Sequence, residues 1–263
     1  EMKINNITDA GIGLIIPAYR VDVQREIDVI EDILRIYGYN NIAIPKKLNA
    51  TIANSSRTEE YKVQNIVANQ LCALGFNEMM ANSLTTPDYV KLSENLKEEF
   101  NVIMLNPLSN DLSVLRANML FQGLETIAYN QNRGQSDLKV FEFGKTYHQY
   151  SDKREEKEWL VAYLTGRQAS SNWTEKLKRA EFFELKGIAE NLLLKIGVSP
   201  LASKTKPTKN AALSYGLDLF SGKLNLGSIG LVNQKNLKAF GVKEAVFYLE
   251  LSWENIVKVL STK

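Results

Sequence analysis

The chain has 263 residues, 44% hydrophobic and 24% charged, which is enough for a sizeable core in one or two domains. Its 32 basic and 30 acidic side chains nearly balance, so no bulk field calls for nucleic acid or an acidic membrane. A single cysteine excludes a disulfide within the chain, and no apolar run approaches the roughly 20 residues of a membrane span; together these point to a reducing, cytoplasmic home and no membrane.

The opening "EMKINNITDAGIGLIIP" lacks the basic and apolar regions of a signal peptide and reads as a strand already in progress, as in a piece of a longer polypeptide. "GIGLIIPAYR" predicts a strand ending at Pro17. A helix then runs to about Tyr37, with Asp22 as its cap and Gly38 as its stop. The polar, aperiodic "PKKLNATIANSS" predicts a linker over 46–56 between two domains.

Ser56 and Glu59 have capping-box spacing for a second helix, whose stripe is Val63, Ile66, Val67, Leu71 and Leu74 and whose end is Gly75. Cys72 falls in this helix and reads as core. "NEMMANSL" and "NVIML" predict strands, and Pro87 suits the first turn of a short helix. Met119–Gln131 predicts a helix. "LKVFEFGKTYH" and "KEWLVAYLTG" predict two strands joined by the charged turn "SDKREE".

Glu181–Ile196 predicts a helix stopped by Gly197. "SYGLDLFSGKLNLGSIGLV" alternates around Ser221-Gly222, a hairpin signal. Asn233–Phe240 suits a short helix, "AVFYLEL" a buried strand, and Ser252 can cap a last helix, "WENIVKVL". Strands both paired by hairpins and separated by helices imply an α+β fold with a mostly antiparallel sheet.

Asp22, Glu26, Asp28, Glu31 and Asp32 crowd into eleven residues. At helical spacing Asp28, Glu31 and Asp32 are neighbours, opposite the apolar face of Ile27, Ile30, Ile33, Leu34 and Tyr37. Like charges so placed repel, and three things could offset that: Arg35, four residues after Glu31, with solvent; a hard cation such as magnesium; or a basic patch on a partner protein.

The run "IPAYRVDVQREIDVIEDILRIYGYNNIAIP" resembles the beta subunit of bacterial phenylalanyl-tRNA synthetase, in the small domain before its catalytic-like module. "NPLSNDLSVLRANML" and "VFEFGKTY" are similar to further landmarks of that family, so the resemblance covers most of the chain. Ala18 stands where the family usually has serine, and Asp32 where it usually has glutamate.

The resemblance implies a class II aminoacyl-tRNA synthetase-like antiparallel sheet flanked by helices over 57–263, preceded at 1–45 by the C-terminal part of a small α/β domain. It implies an alpha-subunit partner in an alpha2-beta2 heterotetramer, and tRNA(Phe) bound by the full complex. It also implies magnesium held by Asp22, Asp28, Glu31 and Asp32 at a site shared with the alpha subunit, with Asp32 one methylene short of the usual glutamate.

Adenylate formation needs cationic clamps on the ATP phosphates. Class II domains supply two arginines, one on the strand-loop-strand motif and one opening the helix after the last strand. Here the first position falls on His148, with Arg154 further out in the turn, and no arginine lies between Glu244 and Leu260. The resemblance therefore implies a non-catalytic module. The alternatives are an active adenylate-forming ligase and an independent tRNA-binding module using the lysines of "KTKPTK" (Lys204–Lys209), a run that lacks interleaved aromatics and otherwise reads as a solvated loop.

His148, the only histidine, reads as a surface residue at a strand end. Glu142 and Glu181 read as structural acids, "GSIG" as a weak phosphate-loop signal, and Arg116 as a tie between a polar loop and the sheet.

Overall fold

The computed structural model describes residues 2–47, 50, 59–94, 96–168, 178–198 and 203–261. It divides into two units, Glu1–Ser55 and Ser56–Lys263. The expected Ser56 cap, and most of the expected linker, lie outside the described residues.

In the smaller unit, β1 (Lys3–Thr8) and β2 (Gly11–Ile15) pair as an antiparallel hairpin. Helix α1 spans Glu26–Tyr37 and ends at Gly38, whose φ of 92° suits glycine. The helix starts later than its sequence suggests. Arg25, not Asp22, is the N-cap residue, and Asp28 at the third helical position bonds the free amides. No residue of α1 is buried, and Ile27, Ile33 and Tyr37 on its apolar face are exposed. Ile4, Ile12, Leu14, Val29 and Ile33 line a groove of about 760 Å³ within this unit.

The larger unit is built on a seven-stranded sheet. Its strands are β3 (Asn77–Glu78), β6 (Leu138–Gln149), β7 (Arg154–Thr165), β8 (Ser203–Pro207), β9 (Leu213–Ser221), β10 (Leu224–Val232) and β11 (Val246–Ser252), in the order β3-β6-β7-β11-β10-β9-β8. All neighbours are antiparallel except β3 and β6.

The two central strands are buried on both faces, which is why "WLVAYL" and, apart from Glu250, "VFYLEL" read as apolar runs rather than alternating ones. Leu160, Ala162, Leu164, Phe247, Leu249 and Leu251 face one layer of helices: α2 (Glu60–Ala73), α4 (Phe182–Lys195) and α6 (Trp253–Ser261). Val161, Tyr163, Val246 and Tyr248 face the other, formed by α3 (Leu120–Gln131) and α5 (Gln234–Ala239). Ser252 does cap α6, its Oγ accepting from the Asn255 amide at 3.4 Å.

Four local expectations give way to tertiary context. Val63, Val67 and Leu71 of α2 are buried, but Cys72 lies 100° round the helix from Leu71 and is exposed. "NEMMANSL" yields only β3 and the two-residue β4 (Leu84–Thr85), because the segment leaves the large sheet to pair with β5 (Val114–Leu115). "NVIML" makes a single bridge, Ile103 to Val114. The lysine run enters β8, an edge strand paired only with β9, where Pro207 removes no ladder bond from a second neighbour.

Candidate functional site

The acidic segment of the smaller unit is organised around Arg20. Its amide donates to Pro17 O at 2.9 Å and its carbonyl accepts from the Val23 amide at 3.2 Å, and Val23 is buried. From this turn the guanidinium reaches Asp22 (Nε to Oδ1 at 3.1 Å, Nη2 to Oδ2 at 2.9 Å) and Asp32 (Nη2 to Oδ2 at 2.7 Å). Arg20 holds the Asp22 carboxyl below the usual carboxylate range, and the two acids raise the guanidinium in turn.

Asp28 is committed elsewhere. Its Oδ2 accepts from the Gln24 amide at 2.9 Å and the Arg25 amide at 2.8 Å, and these bonds lower its pKa. The sequence's candidate counter-charge was Arg35; the structure uses Arg20.

Magnesium wants an octahedral oxygen shell with one or two carboxylates. The donor set does not fit. Asp22 and Asp32 meet through a guanidinium, Asp28 faces backbone amides, and Glu31 is exposed. Among the described residues no three acidic, histidine or cysteine side chains come together as metal ligands would.

On the large sheet, the strand register assembles a row that the sequence does not announce. Glu142 of β6, Val161 of β7, Glu250 of β11, Ser228 of β10 and Asp218 of β9 are successive cross-strand partners, so they share one face. His148 lies six residues along β6 from Glu142, hence on the same face, opposite Glu155. Arg154 pairs with Gln149 and by the same alternation takes the other face.

Glu142 is 2% exposed and bonds Arg116, itself 4% exposed, at 2.9 Å. Arg116 Nε also donates to Lys145 O at 2.8 Å, while its backbone bonds Ser83 and Tyr147. It thus ties the polar loop to the sheet. Burial pushes the Glu142 carboxyl up despite Arg116, and burial likewise raises Glu250, which accepts from the Tyr248 hydroxyl at 2.6 Å. His148 is half-buried rather than on the surface; burial and Lys157 lower its pKa.

Helix α3 sits directly on this face. The Tyr163 hydroxyl donates to Met119 O at 2.6 Å, and Gly123 lies against the Tyr163 ring, where a Cβ would come within 2.0 Å of Cζ. Met119, Leu120, Phe121, Leu124 and Ile127 pack with Val140, Val161, Tyr163 and Tyr248. Beside α3 remains a cavity of about 10 Å³, bordered by Arg116, Asn118 and Gln122, which is room for about one water.

"GSIG" is ladder, not phosphate loop: a Cβ at Gly227 would meet Glu250 O at 1.9 Å, so the glycine admits the close approach of β11. Two residues of this face, Gly123 and Glu250, escaped the sequence reading. Their signals were a glycine inside a helical pattern and a lone acid inside an apolar strand.

Two family profiles cover the chain. Residues 1–39 match the tRNA synthetase B5 domain, and residues 44–253 match the phenylalanyl tRNA synthetase beta chain CLM domain. The chain belongs to the phenylalanyl-tRNA synthetase beta chain family.

Curated relatives include the phenylalanine–tRNA ligase beta subunits of Bacteroides thetaiotaomicron (41% identical, covering 99% of this chain and 33% of that one) and Porphyromonas gingivalis (34% identical, 98% and 33%). The chain therefore spans about a third of the length of these relatives. Among solved structures it is similar to pyrrolysyl-tRNA synthetase from Desulfitobacterium hafniense, with a TM-score of 0.59 at 14% identity, over 79% of this chain and 71% of that one. At that identity the likeness shows the fold alone, and the fold is the class II synthetase one.

Proposed function

We propose that the chain is a non-catalytic, assembly-bearing part of the beta subunit of phenylalanine–tRNA ligase. In this reading it packs against the alpha subunit of an alpha2-beta2 heterotetramer that charges tRNA(Phe). The observation that carries the proposal is the sheet face on which His148 lies. An adenylate-forming site needs an open pocket and cations aimed at phosphate. This face has α3 seated on it and a row of carboxyl groups, and the Arg116 guanidinium beside the row is neutralised by Glu142.

Helix α3 has Leu120, Phe121, Leu124 and Ile127 in its own core, so it is not a free docking face. Met80, Ile103, Leu105 and Leu108 are instead exposed, as are Tyr61 and Ile66 of α2, and these apolar side chains are the candidates for contact with the alpha subunit.

Two measurements test the reading. ATP–pyrophosphate exchange by this chain alone should be absent, and exchange by pure folded chain refutes it. Leu105→Asp with Leu108→Asp in the full-length beta chain should weaken copurification with the alpha subunit. An undiminished heterotetramer moves the interface elsewhere.

A further inference from the structure

We propose that Arg20 is the cation of the acidic helix: it joins Asp22 to Asp32 where a divalent ion would otherwise be needed, and the segment from Asp22 to Asp32 is ordered without metal. Asp22 receives both Nε and Nη2 of the guanidinium, and Asp32 receives Nη2 at 2.7 Å, so one planar fork spans two carboxylates twelve and two residues away.

The geometry is held from both sides. The Arg20 backbone is fixed in a turn by Pro17 and Val23, and Asp32 is carried on the second turn of α1. Asp28 holds two backbone amides at the helix N-terminus through Oδ2, charge-assisted bonds that cap the helix and fix its carboxylate away from the Arg20 cluster. Glu31 is exposed, and among the described residues no three acidic, histidine or cysteine side chains come together there as metal ligands would.

The inference concerns these residues alone and stands apart from the scaffold reading. Its test uses the 263-residue chain, with manganese as a paramagnetic probe of divalent binding and amide hydrogen exchange as the readout of α1. In the wild type, exchange of the α1 amides should be the same in excess EDTA and in millimolar magnesium, and manganese should not selectively broaden the signals of Asp28, Glu31 and Asp32.

Arg20→Met should speed exchange of the same amides by up to about five-fold in EDTA, the range of a partly exposed ion pair. Magnesium-dependent protection of the wild-type helix, or selective manganese broadening there, overturns the proposal. So does wild-type exchange in Arg20→Met. Should Arg20→Met fail to fold, the wild-type manganese measurement decides alone.

Discussion

In the smaller unit one guanidinium, Arg20, lies between Asp22 and Asp32, with about a quarter of its side chain and of Asp32's open to solvent. In the larger unit Arg116 meets Glu142 at a similar distance, with both side chains almost wholly enclosed. The chemistry is the same and the consequence differs. Water stands ready to replace Arg20, so the pair orders a loop at little net gain. Nothing can replace Arg116. Its desolvation is already spent, and removing either partner strands a charge in a low dielectric. The large unit has made its ion pair obligatory, and the small unit has kept its own optional.

The sharpest way to break this contrast is Arg116→Met. It should destabilise the larger unit by about 3–5 kcal/mol in urea unfolding, while Arg116→Met with Glu142→Met recovers much of the loss. A loss below about 1 kcal/mol would place the two pairs in one class.

Gly123→Ala comes next. The new methyl meets the Tyr163 ring, so α3 must lift from the sheet at a cost of about 1–3 kcal/mol. Unchanged thermal stability would mean that α3 is not tightly seated.

Glu250→Gln should act in the opposite sense. Burial raises this carboxyl in the folded state, so folding favours its protonated form. The charged form then costs stability as pH rises through the raised value, and the cost vanishes below the ordinary carboxylate range. The variant should therefore be the more stable one at high pH, with the advantage disappearing on acidification. An advantage independent of pH refutes this.

Salt gives the smallest effect and the cleanest comparison. Raising ionic strength should loosen the Arg20 cluster, seen as faster α1 exchange, and leave Arg116–Glu142 unmoved. For Asp22, whose carboxyl is lowered by Arg20, the stabilisation is present above the ordinary range and is lost as pH falls through the lowered value.

Much of this architecture is written locally. A glycine past most predicted helix ends, the Ser221-Gly222 turn, the apolar run of "AVFYLEL" broken only by Glu250 and the capping Ser252 are near-neighbour features, and near-neighbour physics produces them. The family landmarks are local too, which is why they were legible before any contact was known. The lysines of β8 misled for the opposite reason: they read as a solvated loop because an edge strand is defined by its one partner, β9, and not by its own residues.

The sequence alone determined most of the element order, the class of fold and the lack of an arginine where the last helix begins, since each depends on residues close in the chain. The tertiary structure decided that Arg20 rather than Arg35 answers the acidic helix, that α3 belongs to the core, and that Glu142, Glu250 and Asp218 line up across strands. Those outcomes rest on register and on which charges end up enclosed, and both are set by long-range packing that no short window of sequence contains.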